Sequence, residues 1–466
     1  MRKLILSCAL CALYLSAIAG GLVTNQNQSA AYIRMLARGA STGADAVFYN
    51  PAGAMAFADG FTLSFSNQFV WQSRTISDAN PALNHSEFKG SLQVPFFPSL
   101  YAAYKTGDWT ISLGFNPTAG GGSVKFDEGL PMIESPLSML PASLTAAGIP
   151  VSRYSLQSSL DGTSISYGVQ AGVTYKIGEV LGVYGGLRML MTNNKYEGHL
   201  TNVQIDPRFP PAFTGGMVPA QPFFSAASAY FSSIGQAAAA AQMAAIATQV
   251  ADQRLDVKQK GTGFTPVIGA HLRLGALDLG VKYEFNTSIT VKNNTASDVS
   301  NMFPDGLELR ADVPAVLSIG LGYDIVPQVK MSFTYLQYFD KQSNMESWNS
   351  AGQTKFNKMN FIEKNTREIM AGAEWKASEK LLLSLGYQFT LVYPSDVYGR
   401  YQSDISHSLS NYSMGLGAAY KICNNLTVNI GALATIYDKF KVNADNFERI
   451  YDRSTQNIAV GIDYCV

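Results

Sequence analysis

The chain has 466 residues with 34 basic and 34 acidic side chains, so it carries no net charge and no basic field suited to nucleic acid. Only 15% of the residues are charged, whereas 41 glycines, 24 tyrosines and 25 phenylalanines are spread along the chain. Beyond the N-terminus no apolar run is long enough to predict a membrane-spanning helix. This composition disfavours a soluble secreted enzyme and is typical of a transmembrane β-barrel, in which apolar residues occupy alternate positions.

The N-terminus, MRKLILSCALCALYLSAIAGG, has the features of a secretory signal peptide. Arg2 and Lys3 precede an apolar run, and the Ala-Ile-Ala sequence at 17–19 forms a small-residue cleavage site. The alternative is an N-terminal membrane helix, which needs about 20 apolar residues, and this run is shorter. We therefore predict a signal peptide over residues 1–19, which leaves 32 basic against 34 acidic residues once Arg2 and Lys3 are removed.

The segment 20–59 precedes the first alternating residues and has neither strand periodicity nor long-helix periodicity. Arg34 and Arg38 are spaced among Ala, Gly and Ser residues. Small residues let an irregular backbone pack in a confined lumen, and the few charges can pair with wall residues. We predict a compact plug inside the barrel. The alternative is a disordered periplasmic extension, although disordered tails usually lack apolar clusters such as the one at 47–49.

The plug contains an Asn50-Pro51-Ala52-Gly53 turn just before the first strand. Pro51 fixes its own φ and biases Asn50 toward an extended backbone. The Asn50 side chain can bond neighbouring backbone groups, and Gly53 allows a close approach to the wall. We predict that this turn directs the chain into the first strand, and the alternative is a turn that serves folding alone.

From residue 60 to 466 the chain alternates apolar with small or polar residues, as in the final segment, where Ile458, Val460 and Ile462 share one face. An even strand number is expected of a single-chain bacterial barrel. We predict an all-β fold, a 14-stranded antiparallel transmembrane β-barrel with the N-terminal plug in its lumen. The predicted strands are 60–76, 96–105, 108–118, 163–177, 180–203, 256–274, 276–292, 309–325, 328–346, 363–377, 380–393, 406–422, 425–443 and 449–466.

The connections between these strands alternate between tight turns and longer loops, which places both barrel ends in the periplasm. Six of the seven descending strands end in an aromatic residue that faces lipid by parity, so we predict an interfacial girdle. A soluble β-sandwich could also alternate, but it would not need this girdle. The strand that ends in His271-Leu272-Arg273 is the exception. The girdle residues are Tyr104, Tyr175, Tyr323, Trp375, Tyr420 and Tyr464.

Chemistry-bearing motifs are absent from the sequence. The four histidines, His85, His199, His271 and His407, are scattered, and no HExxH, GxSxG or clustered Cys/His pattern occurs. No segment has the regularly spaced carboxylates of a calcium loop. We predict that the protein is not an enzyme and uses no cofactor or metal.

One further segment, RMLARGASTGADAVFYNPAG at 34–53, lies directly before an alternating strand. It resembles the N-terminal hatch of the outer-membrane long-chain fatty-acid and hydrocarbon transport family, the FadL/TodX type. The stretch 96–122 (FFPSLYAAYKTGDWTISLGFNPTAGGG) resembles that family's second and third strands. The stretch 312–338 (DVPAVLSIGLGYDIVPQVKMSFTYLQY) resembles its proline-containing strand, tight turn and following strand.

The resemblance covers the whole mature chain and implies a monomer in the outer-membrane lipid of a Gram-negative cell. It implies passive uptake of long-chain fatty acids or other hydrophobic small molecules by extracellular capture, plug movement and lateral exit through the wall. Burying a methylene is worth about 0.8 kcal/mol, so a ~16-carbon tail gains on the order of 10 kcal/mol in a suitable pocket. The alternatives are a general porin for polar solutes, a lipolytic barrel enzyme and an adhesin.

Strand three reads Phe-Asn-Pro-Thr-Ala-Gly-Gly-Gly from 115 to 122. Pro117 removes a ladder donor, and Gly120, Gly121 and Gly122 have no side chains, so strand pairing should break or bulge here. We interpret this segment as a gap in the barrel wall. The resemblance implies that such a gap serves as a lateral exit. The alternative is the end of a strand before a loop.

The loop 204–255 contains five consecutive alanines with no helix breaker, which favours a helix. Apolar residues on a helix outside the membrane indicate a hydrophobic groove, and the resembled family places its outer ligand groove on this loop and the next, 293–308. The alternative is a loop that packs on itself and caps the barrel. The candidate capture residues are Phe209, Phe213, Phe223, Phe224 and Phe303.

Arg188 and Lys282 are inward-facing cations by strand parity, and they are the candidate partners of a ligand carboxylate. Either could equally pair with Glu284, with Asp312 or with the plug. The head-group contacts of the resembled family have no recognisable matches here, so aromatic and other apolar ligands stay open.

Cys8 and Cys11 leave with the signal peptide, so Cys423 and Cys465 are the cysteines of the mature chain. Both have inward parity at strand ends two strands apart, and the periplasm is oxidising. Two strand spacings of about 4.8 Å slightly exceed the ~7 Å Cα reach of a disulfide. We predict two free thiols.

Overall fold

The computed structural model describes residues 25–209, 213–299, 301–350, 352–395, 404, 407–444 and 446–466. The predicted signal peptide, residues 1–19, lies outside these ranges. Within them, no helix is long and apolar enough to cross a membrane.

Fourteen antiparallel strands form a closed barrel, because each pairs with its neighbours along the chain and the first pairs with the last. The predicted fold class and strand number are confirmed. The strands are β1 (Gly60–Asp78), β2 (Glu87–Thr106), β3 (Trp109–Phe126), β4 (Val151–Ile177), β5 (Leu181–Phe209), β6 (Gln253–Leu274), β7 (Leu277–Glu284 and Thr290–Asp298), β8 (Glu308–Arg310 and Val316–Val326), β9 (Val329–Tyr338), β10 (Ile362–Lys376), β11 (Leu381–Pro394), β12 (Asn411–Cys423), β13 (Leu426–Tyr437 and Phe440–Ala444) and β14 (Phe447–Cys465).

Helices and short strands lie in the plug and in the loops. The helices are α1 (Ala30–Arg34), α2 (Ala46–Tyr49), α3 (Pro131–Ser138), α4 (Leu140–Ala146), α5 (Ala220–Ser233) and α6 (Ala237–Gln249), with 3-10 turns at Pro51–Ala56, Asp340–Gln342 and Lys358–Phe361. The short strands are Phe213–Thr214, Val218–Pro219 and the hairpin Glu346–Asn349 with Thr354–Asn357.

The outer face of the barrel is apolar, because side chains that alternate along each strand point to opposite faces. All six predicted girdle aromatics are exposed there, and Trp109 packs on Tyr175 with ring centroids 4.5 Å apart. His271, on the strand that breaks the pattern, is fully buried and faces the lumen. Its role is to contact the plug, as described below, so an aromatic residue is not required at this position.

Several predicted strand boundaries are wrong. β2 begins at Glu87 and β4 at Val151, earlier than predicted, and β3 continues to Phe126 rather than ending at 118. These extensions lie at the long-loop end. The outward residues of the β2 extension, Glu87, Lys89, Ser91 and Gln93, are polar, so the apolar signal of a lipid-facing strand is missing there. β9 ends at Tyr338 rather than 346. The buried Asp340 carboxylate then accepts the Thr366 amide at 2.8 Å, which holds a turn in place of a strand.

The segment 25–57 fills the lumen and is almost wholly buried. Its apolar side chains form one core with inward residues of the wall, including Tyr101, Leu336 and Tyr338. Wall glycines permit this contact, since a Cβ atom on Gly320 would lie 2.0 Å from the carbonyl carbon of Gly39. The barrel therefore encloses a folded plug that packs against its inner wall.

A second core lies at the long-loop end, where α3 to α6 pack on the extended ends of β4 and β5. We call helices α3, α4, α5 and α6 the helical cap. At the opposite end, Cys423 and Cys465 are exposed free thiols, as predicted.

Candidate functional site

Arg34 and Arg38 hold the plug in different ways. Arg34, at the end of α1, forms an ion pair with Glu374 of β10, and its Nε donates to Asn429 of β13 at 3.1 Å. Arg38 forms its hydrogen bonds within the plug, where its Nε and Nη2 donate to the two Asp45 oxygens at 2.8 and 2.6 Å. Its Nη1 also lies 3.9 Å from Glu374. Arg34 thus anchors the plug to the wall, and Arg38 mainly fixes the internal fold of the plug.

The Arg38–Asp45 contact also determines the ionisation of Asp45. Burial alone would raise the pKa of the Asp45 carboxyl, but the charge of Arg38 and its two hydrogen bonds outweigh burial, so the pKa lies below its ordinary value. Ser41 adds a hydrogen bond to Asp45 at 2.8 Å. Asp45 is therefore a carboxylate at neutral pH and keeps Arg38 paired.

The Asn50 side chain links the plug to the wall. Its Nδ2 donates to the Ser41 carbonyl at 2.9 Å and lies 2.9 Å from Nδ1 of His271 on β6. The other ring nitrogen of His271 lies 3.2 Å from Asp278 of β7, whose second oxygen accepts from Lys330 of β9 at 2.6 Å. A polar chain thus runs from the plug turn across three wall strands.

The rest of the predicted turn also touches wall strands. The Pro51 carbonyl accepts from the Thr174 hydroxyl at 2.8 Å, and Ala52 packs with Tyr184 and Val267. A Cβ atom on Gly53 would lie 2.4 Å from the Ser41 carbonyl oxygen and from Nδ2 of Asn50. The close approach that this glycine permits is therefore within the plug rather than to the wall.

The pairing of β2 with β3 is interrupted. Ser91 pairs with Lys125 and Leu100 with Phe115, and between these points residues 92–99 and 116–124 are not paired with each other. We call this stretch the wall interruption. On its other side β3 still pairs with β4, with register shifts at Pro117/Ala119 and Gly120/Gly122.

Gly120 and Gly122 adopt φ values of 77° and 104°, a left-handed region that favours glycine. A Cβ atom on Gly120 would lie 2.1 Å from the Ser164 carbonyl oxygen. Gly121 lies in β3 between them, and nothing further of it is described. Among the described residues, Ser99 Oγ and Asn116 Nδ2 are buried without a hydrogen-bond partner on the two sides of the interruption.

The first described residues of the plug close the inner side of the wall interruption. Gln28 Nε2 donates to the Pro117 carbonyl at 2.6 Å, and the Asn25 amide donates to the Thr118 carbonyl at 2.8 Å. Asn25 Nδ2 also donates to the Gly120 carbonyl. Carbonyl groups freed by the broken ladder are thus satisfied by the plug instead of by β2.

A cavity of about 130 Å³ lies in the lumen and reaches the wall interruption, since Gly120 and Gly122 line it. The plug contributes Tyr32, whose hydroxyl donates to Gln388 of β11 at 2.5 Å. Amide, hydroxyl and guanidinium groups from β10 to β14 line one side. On the other side β1 contributes Gln72 and Arg74, and β1 to β3 contribute four apolar side chains: Val70, Leu92, Phe97 and Val124.

Arg188 and Lys282 are buried and face the lumen, and both are paired with Glu284 of β7. The closest oxygens lie 2.7 Å from Arg188 Nη1 and 2.7 Å from Lys282 Nζ. Lys282 Nζ also donates to the Phe48 carbonyl at 2.8 Å. The sequence left three partners open for these two cations: Glu284, Asp312 and the plug. In the structure both cations pair with Glu284, and Lys282 also contacts the plug.

The predicted capture phenylalanines do not form one surface. Phe223 and Phe224 are buried in the core of the helical cap, and Phe303 is buried in a separate cluster, stacked on Tyr196 at 5.2 Å. Phe209 and Phe213 pair as backbone at the end of β5, and their side chains lie outside the described part of the structure.

Sequence reasoning missed Asn25, Gln28, Asp278, Arg74 and Arg453 as site residues. The amide-rich stretch NQNQ at 25–28 carries a usable signal, because side-chain amides can satisfy carbonyls that a broken strand exposes. No group of three or more potential metal ligands occurs among the described residues.

The fold and the site define a plugged 14-stranded barrel with an interrupted wall. The fold is similar to a FadL homologue of Pseudomonas aeruginosa, with 11% identity, coverage of 96% of this chain and 100% of that chain, and a TM-score of 0.64. It is also similar to the toluene transporter TodX of Pseudomonas putida, with 14% identity, coverage of 91% and 95%, and a TM-score of 0.56. No protein-family model and no curated protein matches the chain.

Proposed function

We propose that the protein is an outer-membrane passive transporter that takes up hydrophobic compounds such as long-chain fatty acids or hydrocarbons. The likeness to a solved toluene transporter, and the resemblance of the hatch-like segment 34–53, support this class. A toluene transporter among the structural neighbours agrees with a function based on binding and diffusion.

The wall interruption beside the lumen cavity carries the proposal. Four apolar side chains of β1 to β3, Val70, Leu92, Phe97 and Val124, line the cavity beside Gln72 and Arg74, and Gly120 and Gly122 lie at its edge. A hydrophobic molecule that leaves the lumen sideways enters lipid without crossing an aqueous compartment. The lateral opening in this proposal is formed by Pro117, Gly120, Gly121 and Gly122 on the β3 side.

The plug would act as the gate through Arg34, Arg38 and the Asn50–Gly53 turn. Its hydrogen bonds to the wall interruption are three, from Asn25 and Gln28 to β3 carbonyls. A neutral hydrogen bond contributes about 0.5–1.5 kcal/mol net, whereas a buried ~16-carbon tail gains on the order of 10 kcal/mol. Ligand binding can therefore exceed the free energy that keeps these contacts closed.

In this proposal the chain is a monomer, residues 1–19 direct it to the periplasm, and both barrel ends face the periplasm. The helical cap then lies outside the cell and meets the ligand first. Phe223 and Phe224 would hold the cap together, with Phe209, Phe213 and Phe303 beside the entry route. Arg188 and Lys282, already paired with Glu284, would hold the plug near Phe48.

Uptake of tritiated oleate by cells that lack their own fatty-acid transporter tests the proposal. Cells expressing the protein should accumulate oleate faster than cells with an empty vector, and liposomes containing it should not swell in arabinose. Arabinose swelling without oleate uptake would identify a general porin and contradict the proposal.

A variant makes the test specific to the site. Gln28→Ala removes a donor to the Pro117 carbonyl, so it should loosen the closure and raise the initial uptake rate. Gln221→Ala, the same change at an exposed position of the helical cap, is the matched control and should leave the rate unchanged. Equal rates for both variants would show that this contact does not gate uptake.

A further inference from the structure

Two arginines stand side by side in the barrel wall. Arg74 of β1 and Arg453 of β14 are direct partners in the strand register, and their exposed fractions are 8% and 6%. Like charges directly opposite each other in a sheet destabilise it, and a buried charge without a counter-charge is costlier still. This arrangement calls for a compensating group.

The protein supplies little of that compensation. Arg74 Nε donates to Gln72 at 2.7 Å, and Arg453 Nη2 donates to the His407 carbonyl at 2.5 Å. The Arg453 guanidinium also lies over the Tyr437 ring, 5.0 Å from its centroid. Across the described ranges, neither forms an ion pair with a carboxylate, and Arg74 Nη1 and Arg453 Nε are buried without a hydrogen-bond partner.

Other buried arginines of the barrel behave differently. Arg34 pairs with Glu374, Arg188 with Glu284, and Arg449 with Asp78 at 2.7 Å. Arg449 is on the same strand as Arg453 and faces the same way, four residues earlier. The unpaired donors of Arg74 and Arg453 are thus specific to this position.

Both guanidinium groups line the lumen cavity. The other acidic or basic side chain of its described lining is Glu368 of β10, which is bonded to Tyr338 and Thr390 at 3.0 and 3.3 Å. The described lining therefore holds two guanidinium groups against one carboxyl group, and this excess of cationic groups suits an anion.

We propose that Arg74 and Arg453 bind the monoanionic head group of an amphiphilic ligand, such as a long-chain carboxylate, inside the lumen. Two guanidinium groups offer parallel N–H donors that match the two oxygens of a carboxylate. The inference rests on the proposed function and deepens it, because it assigns the ligand class and the specificity-determining residues.

The position of the pair also directs the tail. Val70 lies on β1, the strand of Arg74, and Leu92 on β2 and Val124 on β3 belong to the wall interruption itself. A head group held at β14 and β1 therefore leaves its apolar tail pointing at the opening. Arg188 and Lys282 differ from this pair, because both are hydrogen-bonded to Glu284, Arg188 also donates to Gln170 and Lys282 also donates to the Phe48 carbonyl.

Equilibrium binding to the full-length protein in nanodiscs tests the inference. The probes are tritiated hexadecanoate and hexadecan-1-ol, which share a tail and differ in charge. Wild type should bind hexadecanoate about 10–100-fold more tightly, the range that one or two charge-assisted hydrogen bonds supply. The Arg74→Gln/Arg453→Gln double variant should lose this preference and keep its affinity for the alcohol.

Two further variants and one competition measurement serve as controls for this binding experiment. Arg74→Lys/Arg453→Lys should retain part of the preference, because the charge is kept and the planar donors are lost. Arg367→Gln, which removes an exposed guanidinium from the outer face of β10, should change nothing. A tenfold excess of acetate should not displace hexadecanoate; displacement would reduce the site to small-anion binding and overturn the amphiphile assignment.

The outcomes separate this inference from the proposed function. If wild type binds both probes equally, or if the double glutamine variant keeps the preference, the head-group site is overturned while hydrophobic uptake stands. If wild type binds neither probe, both are overturned. Unchanged affinity of the double variant for hexadecan-1-ol shows that it has folded.

Discussion

Arg38 and Asp45 are both buried in the plug, and each is the main charged partner of the other. Removing one partner of a buried pair leaves an uncompensated charge, which typically costs 3–5 kcal/mol. Because the Arg38–Asp45 pair joins two parts of the plug, its loss should unfold the plug under conditions in which the barrel stays folded. The barrel strands have their own closed ladder and do not depend on this contact.

We therefore predict a pH-dependent leak. The folded-state pKa of Asp45 lies below its ordinary value of about 3.9, so its stabilisation is complete above that pH and is lost as the pH falls through the folded-state pKa. Conductance of planar bilayers containing the protein should stay flat from pH 8 to about 5 and rise below about pH 4. Asp45→Asn should conduct at neutral pH and lack the acid step; an identical acid step in this variant would contradict the assignment.

At the residue scale, parity along a strand is enough to predict that Arg188 and Lys282 face the lumen. Glu284 was one of three possible partners for these cations. Choosing among the three requires the register of β5 with β6 and β7. The opposition of Arg74 and Arg453 depends on how the first strand meets the last. Sequence alone does not fix that register, because every two-residue shift preserves the alternation.

The helical cap is an element whose residues pack mainly on each other. Phe223→Ser/Phe224→Ser deletes two buried rings from its core, at about 3 kcal/mol or more each. We predict unchanged barrel assembly in heat-modifiable gel migration, faster proteolysis within 210–252, and reduced oleate uptake. Ile234→Ser, at an exposed position beside α5, is the control. Unchanged uptake in the double variant would show that the helical cap only covers the barrel and does not take part in uptake.

At the element scale, alternation predicted fourteen strands but not their ends. Inside the lipid band, one face of each strand is uniformly apolar, so the period of two is clear. Beyond the band, β4 from Val151 onward packs against the helical cap and other loop residues, where polar and apolar contacts mix. The wall interruption was foreseen from Pro117 and the three glycines, whereas its partner stretch on β2 was not, since residues 92–99 alternate poorly.

For the whole molecule, the plug and the barrel are separable structures. Deleting residues 25–45 removes α1, the Arg38–Asp45 pair and the bonds to β3, and leaves every barrel strand intact. We predict a folded barrel with increased arabinose flux in liposomes and impaired oleate uptake. A deletion variant with no added flux would show that the segment does not seal the lumen.

If ligand leaves through the wall interruption, a reversible covalent seal across it should stop uptake. A Cβ atom on Gly122 would lie 4.0 Å from the Val94 Cβ atom, within the disulfide range of about 3.5–4.5 Å. Any side chain at the Gly122 φ of 104° is strained, and the reduced variant, which has the same strain, controls for it. Val94→Cys/Gly122→Cys is made in a background where Cys423 and Cys465 are serine. Ala102→Cys/Leu113→Cys, which joins register partners on the paired part of the same two strands, is the matched control.

The measurement is oleate uptake by both variants, oxidised and then reduced. We predict that the oxidised Val94–Gly122 bridge abolishes oleate uptake and that a reductant restores the uptake. The control bridge should have no effect on uptake in either state. Full uptake through the oxidised Val94–Gly122 variant, with the bridge verified by mass spectrometry, would contradict lateral exit at this site.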